Sequence, residues 1–225
     1  MTSQSFPTSI SSSSTSKEEW SDPQHVSNYL NSVDSSMSFR KEGESILLSH
    51  IPSNTKRILD IGTGNGRLIK LIKSQLPSIE KVVAIDISPV MIKAVKENFS
   101  NDPTVEVIEH DLSNPLPEIG YFDAIVSGLA IHHLTHKRKL ALYEEIYGIL
   151  NPSGVFCNLE HVSSPSIGQH TRFLKSISHT NKKEDYTNKL LSVEKQLQWF
   201  RDLGFVDVDC YWKWLEIALL IGYKI

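Results

Sequence analysis

The sequence is poor in cysteine, in long apolar runs and in excess charge of either sign. Its two cysteines, Cys157 and Cys210, are too few for a disulfide framework, which points to a reducing compartment and hence to the cytoplasm. The longest apolar stretch, Ile217-Ala218-Leu219-Leu220-Ile221, is far shorter than the roughly 20 residues of a membrane-spanning helix, so no membrane partner is expected. Lys and Arg number 23 against 26 Asp and Glu, a formal net charge of −3, which argues against broad electrostatic capture of nucleic acid. No charged side chain precedes Lys17, and the segment is rich in Ser and Thr with no secretory apolar region. Residues 1–17 therefore read as a disordered tail. A plastid-targeting peptide is the minor alternative, being Ser-rich and acid-poor, although this segment contains no Arg.

What is present suits one globular domain over residues 18–225, with 40% hydrophobic and 22% charged residues. Two helical segments are predicted between Trp20 and His50, forming an N-terminal lid over residues 18–52, with a start signal at Ser21-Asp22-Pro23. Short β-branched runs then alternate with helical patterns. Predicted strands begin at Arg57, Lys81, Val105, Phe122 and Gly154, and predicted helices at Arg67, Pro89 and Lys139. A polar stretch over residues 163–190 interrupts the alternation and reads as a substrate-side insertion. After it come a helix from Val193 and two closing strands that begin at Phe205 and Leu215. Such alternation predicts an α/β fold, a Rossmann-like seven-stranded, mostly parallel sheet with helices on both faces. The last two strands are joined by almost nothing, so the last strand must run antiparallel.

The chemistry gathers at the predicted strand ends. Leu59-Asp60-Ile61-Gly62-Thr63-Gly64-Asn65-Gly66 follows a strand and opens a helix, and its glycines let the backbone approach a ligand closely. The Gly-x-Gly-x-Gly spacing differs from the dinucleotide Gly-x-Gly-x-x-Gly, and Asp60 beside the loop would repel a phosphate and attract a cation. Asp86 ends the second strand, placed for ribose hydroxyls, and Asp111 closes the third. Three carboxylates at successive strand ends are expected to face one cleft. A ligand with an amine, a sulfonium, a ribose and an adenine suits that cleft better than a nicotinamide dinucleotide.

These residues resemble the class I S-adenosylmethionine-dependent methyltransferases. The resemblance is carried by Ile58-Leu59-Asp60-Ile61-Gly62-Thr63-Gly64-Asn65-Gly66, Val83-Ala84-Ile85-Asp86-Ile87-Ser88 with Met91, His110-Asp111-Leu112, Phe122-Asp123-Ala124-Ile125-Val126-Ser127 and Leu150-Asn151-Pro152-Ser153-Gly154. It implies S-adenosyl-L-methionine as cofactor. Gly62 and Gly64 would approach its methionine part, Asp86 would bond the ribose, and Asp111 would meet the adenine amino group with Leu112 beside the ring. Ser127 to Ala130 would lie beneath the sulfonium. Asp60, Thr63, Ile87, Met91 and Arg40 complete the implied cofactor set, Arg40 toward the cofactor carboxylate or a substrate anion.

The C-terminal half, through Leu191-Ser192-Val193-Glu194 and Leu203-Gly204-Phe205, resembles the carboxy-S-adenosylmethionine synthase and tRNA wobble-uridine branch. That branch holds an extra carboxylate with an arginine shortly before the Gly-Phe pair. Trp199 stands at that place here, so a plain methyl donor is expected.

His132 and His133 follow the fourth strand and Glu160 ends the fifth, the positions of candidate catalytic bases; loop-ordering hydrogen bonds are the competing role. His132 and His136 are four residues apart and, with Cys157, Glu160 and His161 in sequence, sketch a metal cluster. His133 occupies the place where zinc hydrolases carry glutamate, so no metal is predicted. Trp20, Tyr29, Trp212, Trp214 and Glu160 are candidates to bind the acceptor, with packing as the competing role of the aromatics. The expected activity is methyl transfer to oxygen or nitrogen of a small-molecule acceptor by a monomer or homodimer. A tRNA wobble-uridine modifying enzyme and a non-catalytic cofactor-binding regulator are the alternatives.

Overall fold

The computed structural model describes Trp20, Asp22 and residues 40–177 and 187–225. Tyr29, most of the expected lid and the Ser-rich tail lie outside the described residues. Helix α1, Arg40–Ser49, precedes the alternating region. There β1 (Arg57–Ile61), β2 (Lys81–Asp86), β3 (Val105–Glu109), β4 (Phe122–Gly128) and β5 (Leu150–His161) interleave with α2 (Arg67–Gln75), α3 (Pro89–Asn98) and α4 (His136–Ile149). The expected insertion contains α5 (Ile167–Ser176), and α6 (Val193–Leu203), β6 (Val206–Trp214) and β7 (Ile217–Tyr223) follow. No helix among the described residues is long and apolar enough to cross a membrane.

The seven strands are ordered β3-β2-β1-β4-β5-β7-β6. The first five are parallel, and β7 runs antiparallel to both β5 and β6. The reversed strand thus fills the slot between β5 and the edge strand β6. That placement accounts for the apolar run Ile217 to Ile221: the strand is covered on both faces, so every position needs an apolar side chain. Strand order reverses between β1 and β4, which leaves a crevice at their carboxyl ends.

Successive side chains on a strand point to opposite faces, so the sheet builds two cores. Ile58, Val82, Ala124 and Val155 pack with Leu47 of α1, Ile69 and Ile72 of α2 and Phe173 of α5. Leu59, Val83, Ile125 and Phe156 pack on the other face with Leu142 and Ile146 of α4 and Leu197 and Phe200 of α6. Helix starts are set by side-chain caps. The hydroxyls of Ser88, Thr135, Ser166 and Ser192 accept from Met91, Arg138, Gln169 and Lys195 backbone N–H groups, each worth about 1 kcal/mol.

Several boundaries depart from expectation, and the last two strands begin at Val206 and Ile217 rather than Phe205 and Leu215. Strand β5 begins at Leu150 rather than Gly154, because Leu150 pairs with Phe122 ahead of a register shift. Helix α4 begins at His136 rather than Lys139, where the Thr135 cap starts it. Strand β3 stops at Glu109, which places His110 and Asp111 in the turn beyond it.

Candidate functional site

A cavity of about 510 Å³ opens at the carboxyl ends of the strands. It is walled by the loop after β1, by Asp86, Ile87 and Met91 after β2, by His110 to Ser113 after β3 and by Gly128 to Ala130 after β4. Arg40, Trp20 and His133 also line it.

The loop after β1 has the geometry only glycine gives. Gly62 and Gly64 have φ of +67° and +56°. A Cβ on Gly62 would stand 2.2 Å from the Ala130 Cβ, so two strand-end loops meet there with no room for a side chain. A Cβ on Gly64 would meet nothing within 4 Å, so that backbone is open on its cavity side. The loop is pinned from beneath: Gly62 and Thr63 N–H groups both donate to the Ile85 carbonyl, at 2.9 and 3.0 Å. Gly64 N–H donates to Asp86 Oδ2 at 2.8 Å, and Ser88 N–H donates to Asp86 Oδ1 at 2.9 Å. Burial pushes the Asp86 carboxyl up, and these amides pull it back. Each carboxylate oxygen keeps a second lone pair, so Asp86 still accepts hydroxyl donors from the cavity.

Of the three strand-end carboxylates, Asp86 and Asp111 line the cavity and Asp60 does not. Asp60 is 1% exposed on β1, on the face shared with Ile58, and accepts from Thr63 Oγ1 at 2.7 Å. Its Oδ1 has no hydrogen-bond partner among the described residues. Burial pushes its pKa up to about 7, with the Thr63 hydroxyl opposing, Asp86 adding and Arg40 opposing. It braces the loop from behind. Ser127 is displaced from its expected place in the same way. Fully buried, it donates to the Ile61 carbonyl at 2.9 Å and ties β4 to β1, whereas Gly128, Leu129 and Ala130 reach the cavity. Leu129 takes a φ of 59°, a strained conformation for a side-chain-bearing residue, held where β4 meets the cavity.

The candidate bases are divided between the cavity and its backing. His133 lines the cavity; its Nδ1 lies 3.0 Å from Thr187 Oγ1, and its ring meets Trp20 edge-on at 5.7 Å. His132 and Glu160 lie behind it and do not line the cavity. The His132 Nδ1 is 2.9 Å from Glu160 Oε1, which also accepts the His161 N–H at 2.8 Å. Burial pushes the Glu160 carboxyl up, and Lys139, itself fully buried, opposes that shift. Asn158, Tyr143 and Gln196 continue this buried polar chain away from the cavity: Asn158 Nδ2 donates to Tyr143 Oη at 3.3 Å, and Tyr143 Oη donates to Gln196 Oε1 at 2.6 Å.

His132 falls in a short 3₁₀ turn and His136 opens α4, so the two do not share a helix face. His136 Nε2 instead lies 3.1 Å from the Leu190 carbonyl. Among the described residues, no group of three His, Cys, Asp or Glu is placed to hold a metal ion.

Trp212 and Trp214 also depart from expectation. Neither lines the cavity. Trp212 packs so closely on α1 that a Cβ at Gly43 would come within 2.9 Å of it, and the Trp214 ring lies 6.1 Å from that of Phe173. Both point into the layer beneath α1 and α5, so their role is packing. Trp199 packs on Tyr143, with its ring 5.6 Å from Lys195 Nζ.

Sequence reasoning missed Glu44 and Arg67. Glu44 is 2% exposed and accepts from Arg40 Nε at 2.7 Å and from Arg67 Nε and Nη2 at 2.8 Å each. The i,i+4 spacing of Arg40 and Glu44 was a legible signal; their meeting with Arg67 is made only by the fold.

Residues 58–154 match the family model described as a methyltransferase domain. An uncharacterized methyltransferase of Mycobacterium tuberculosis is 28% identical over 124 residues, 55% of this chain and 59% of that protein. The chain thus matches less than two thirds of that relative's length. A carboxy-S-adenosyl-L-methionine synthase of Helicobacter hepaticus is 22% identical over 182 residues, 74% of this chain and 75% of that protein. Human N-acetylserotonin methyltransferase, solved in complex with S-adenosylmethionine, superposes with a TM-score of 0.66 at 19% identity, covering 92% of this chain and 58% of that one. That likeness is one of fold.

Proposed function

Taking as premise that residues 58–154 form a methyltransferase domain of the class I S-adenosylmethionine-dependent family, we propose that the chain transfers a methyl group from S-adenosyl-L-methionine to an oxygen or nitrogen of a small-molecule acceptor. The observation that carries this reading is the cavity itself. It sets the Asp86 carboxylate, an open glycine backbone and the apolar Ile87, Met91 and Leu112 together at one strand edge, with a histidine and a tryptophan in the same wall.

The donor supplies a methyl group on a positively charged sulfur, already activated toward a nucleophile. The protein's task is then largely one of position. Asp86 accepts from the ribose hydroxyls, Asp111 from the adenine amino group, and Leu112, Ile87 and Met91 flank the ring. Gly62, Thr63 and Gly64 present the backbone to the amino-acid part, and Arg40 receives its carboxylate. Asp60 acts on this loop through Thr63. On the acceptor side Trp20 forms a wall, and His133 takes the proton that an acceptor hydroxyl or amine gives up on methylation. Glu160 and His132 sit behind His133 and position it.

A second reading, tRNA wobble-uridine modification, is favoured by the length of the match to the carboxy-S-adenosyl-L-methionine synthase. Against it, Trp199 is packed against Tyr143 and does not line the cavity.

The test is calorimetric titration with S-adenosylmethionine and S-adenosylhomocysteine, repeated on Asp86→Ala. Binding that is lost in the variant supports the reading and leads to a methyl-transfer screen over amines, phenols, carboxylates and tRNA. Binding with no turnover on any acceptor favours a regulatory protein. Absence of binding to either ligand sinks the proposal.

A further inference from the structure

Residues 187–191, at the far end of the expected insertion, run beside the turn that carries His132 and His133. Lys189 N–H donates to the His132 carbonyl at 2.8 Å, and the Lys189 carbonyl accepts from Lys139 Nζ at 2.8 Å. The Leu190 carbonyl lies 3.1 Å from His136 Nε2. The Leu191 carbonyl accepts from Ser163 N–H at 3.1 Å and from Gln196 Nε2 at 3.2 Å. Three consecutive carbonyls are thus held by side chains of α4 and α6 and by the backbone after β5, which fixes the register of this segment against the turn. The fully buried Lys139 and the displaced His136 both serve as its anchors.

That register brings Thr187 to His133. Thr187 is 8% exposed, and its Oγ1 lies 3.0 Å from His133 Nδ1. None of the described residues of the insertion lines the cavity, so Thr187 acts on the base from behind. Trp20 meets the His133 ring edge-on, and the His132 ring lies 4.1 Å from it, tilted by 40°. Ring contacts set the plane of an imidazole; a hydrogen bond to one nitrogen decides which nitrogen carries hydrogen. A hydroxyl can accept or donate there. A base that takes up a proton ends with hydrogen on both nitrogens. A partner that accepts from Nδ1 serves the ring before and after that event without turning over. A partner that donates to Nδ1 has to reverse, and until then it holds the ring with hydrogen already on Nε2.

We infer that Thr187 is a positioning residue for His133: it accepts from Nδ1 and holds the ring in the Nδ1–H tautomer, in which Nε2 carries the basic lone pair. This rests on the reading of His133 as the base, and goes beyond it in assigning the tautomer and the residue that sets it.

The experiment is long-range proton–nitrogen correlation spectroscopy of the full chain, labelled on its histidine nitrogens, at about pH 8.5 where histidine is neutral. The His133 signal is assigned by its loss in His133→Gln. The wild-type ring is expected to carry hydrogen on Nδ1, against the preference of free histidine for Nε2. Thr187→Val keeps the side-chain shape without the hydroxyl, and is expected to lower the ratio of Nδ1–H to Nε2–H about tenfold, the scale of one hydrogen bond. Thr187→Ser is expected to restore it. Calorimetric titration of the same samples with S-adenosylhomocysteine is expected to give one affinity throughout. A ratio unchanged in Thr187→Val, or a wild-type ring with hydrogen on Nε2, overturns the inference. So does weaker S-adenosylhomocysteine binding in Thr187→Val, which would make the effect one of general packing. In those cases wild-type binding of S-adenosylhomocysteine leaves the cofactor reading standing. A wild-type protein that does not bind it removes that reading and, with it, the role given to Thr187.

Discussion

His132 Nδ1 lies 2.9 Å from Glu160 Oε1, with a ring that is 7% exposed against a carboxyl that is not exposed at all. When Glu160 is ionised its carboxylate only accepts, and Nδ1 of His132 then carries the hydrogen. The His132 ring centre lies 4.1 Å from that of His133, and His133 lines the cavity. A change at Glu160 therefore reaches the cavity through two rings and no direct contact.

If His133 is the base, His133→Ala is expected to lower kcat about a hundredfold while affinity for S-adenosylhomocysteine stays near the wild-type value. Glu160→Gln is expected to lower kcat about tenfold and to move the acid limb of the kcat/KM profile to lower pH. The sign follows from charge: a neighbouring carboxylate favours protonated histidine, so its loss lets the rings give up their proton earlier. A profile that keeps its acid limb in place would show Glu160 to be structural only.

The two glycines of the loop are expected to fail differently. Gly62→Ala drives a methyl into the Ala130 Cβ at 2.2 Å and so is expected to lower the melting temperature sharply. Gly64→Ala meets no atom, and its cost is the left-handed backbone alone, about 1 kcal/mol. That variant is expected to fold, with cofactor affinity reduced because its methyl enters the space the ligand's backbone contacts need. Thermal melts paired with calorimetry on both variants check the contrast.

The strands and helices were legible because hydrophobic period and cap residues agree along most of the chain. Ser88-Pro89 and Ser192 mark helix starts that the structure uses. The start of β5 was not legible, since its pairing of Leu150 with Phe122 precedes a register shift made by the partner strand. Site residues were legible as far as the strand ends but not in the direction they point. Asp60 and Ser127 were read as cavity residues from their position in the chain, yet a strand turns alternate side chains to opposite faces, and only the packed sheet decides which face meets the crevice. Trp212 and Trp214 were misplaced for the same reason. Glu44 was legible only as the i,i+4 neighbour of Arg40; its second partner, Arg67, is 23 residues away in sequence.

Asp60 sets a pH dependence of stability. Its carboxyl titrates near 7 in the folded chain, raised by burial from 3.8, so the protonated form is the one the fold tolerates. For a raised acid the contribution is fully present below the unfolded value and is lost as pH rises through the folded one. Between about pH 4 and 7 that amounts to an upper bound of about 4 kcal/mol. Asp60→Asn keeps an acceptor for the Thr63 hydroxyl and carries no charge. The variant is expected to melt higher than wild type at pH 8 and to lose the decline between pH 4 and 7, as followed by thermal denaturation across that range.

Glu216 makes the opposite case. It is 1% exposed at the start of β7 and accepts from His161 Nε2 at 3.1 Å, Ser164 Oγ at 2.5 Å and His170 Nδ1 at 2.7 Å. Burial alone would raise its carboxyl, but the three donors together hold it below the usual value. A lowered acid contributes stability that is present above the unfolded value and is lost as pH falls through the folded one. Because His170 lies on α5, the same bonds tie that helix to the end of the sheet. Glu216→Gln is expected to cost about 2 kcal/mol at pH 7 and to speed amide exchange in α5 ahead of the rest of the chain. As pH falls from the unfolded value through the lowered folded one, the wild-type carboxyl also takes up its proton, so the two melting temperatures are expected to converge. A gap that stays constant down to pH 3 would mean that packing, rather than the charge of Glu216, holds α5 in place.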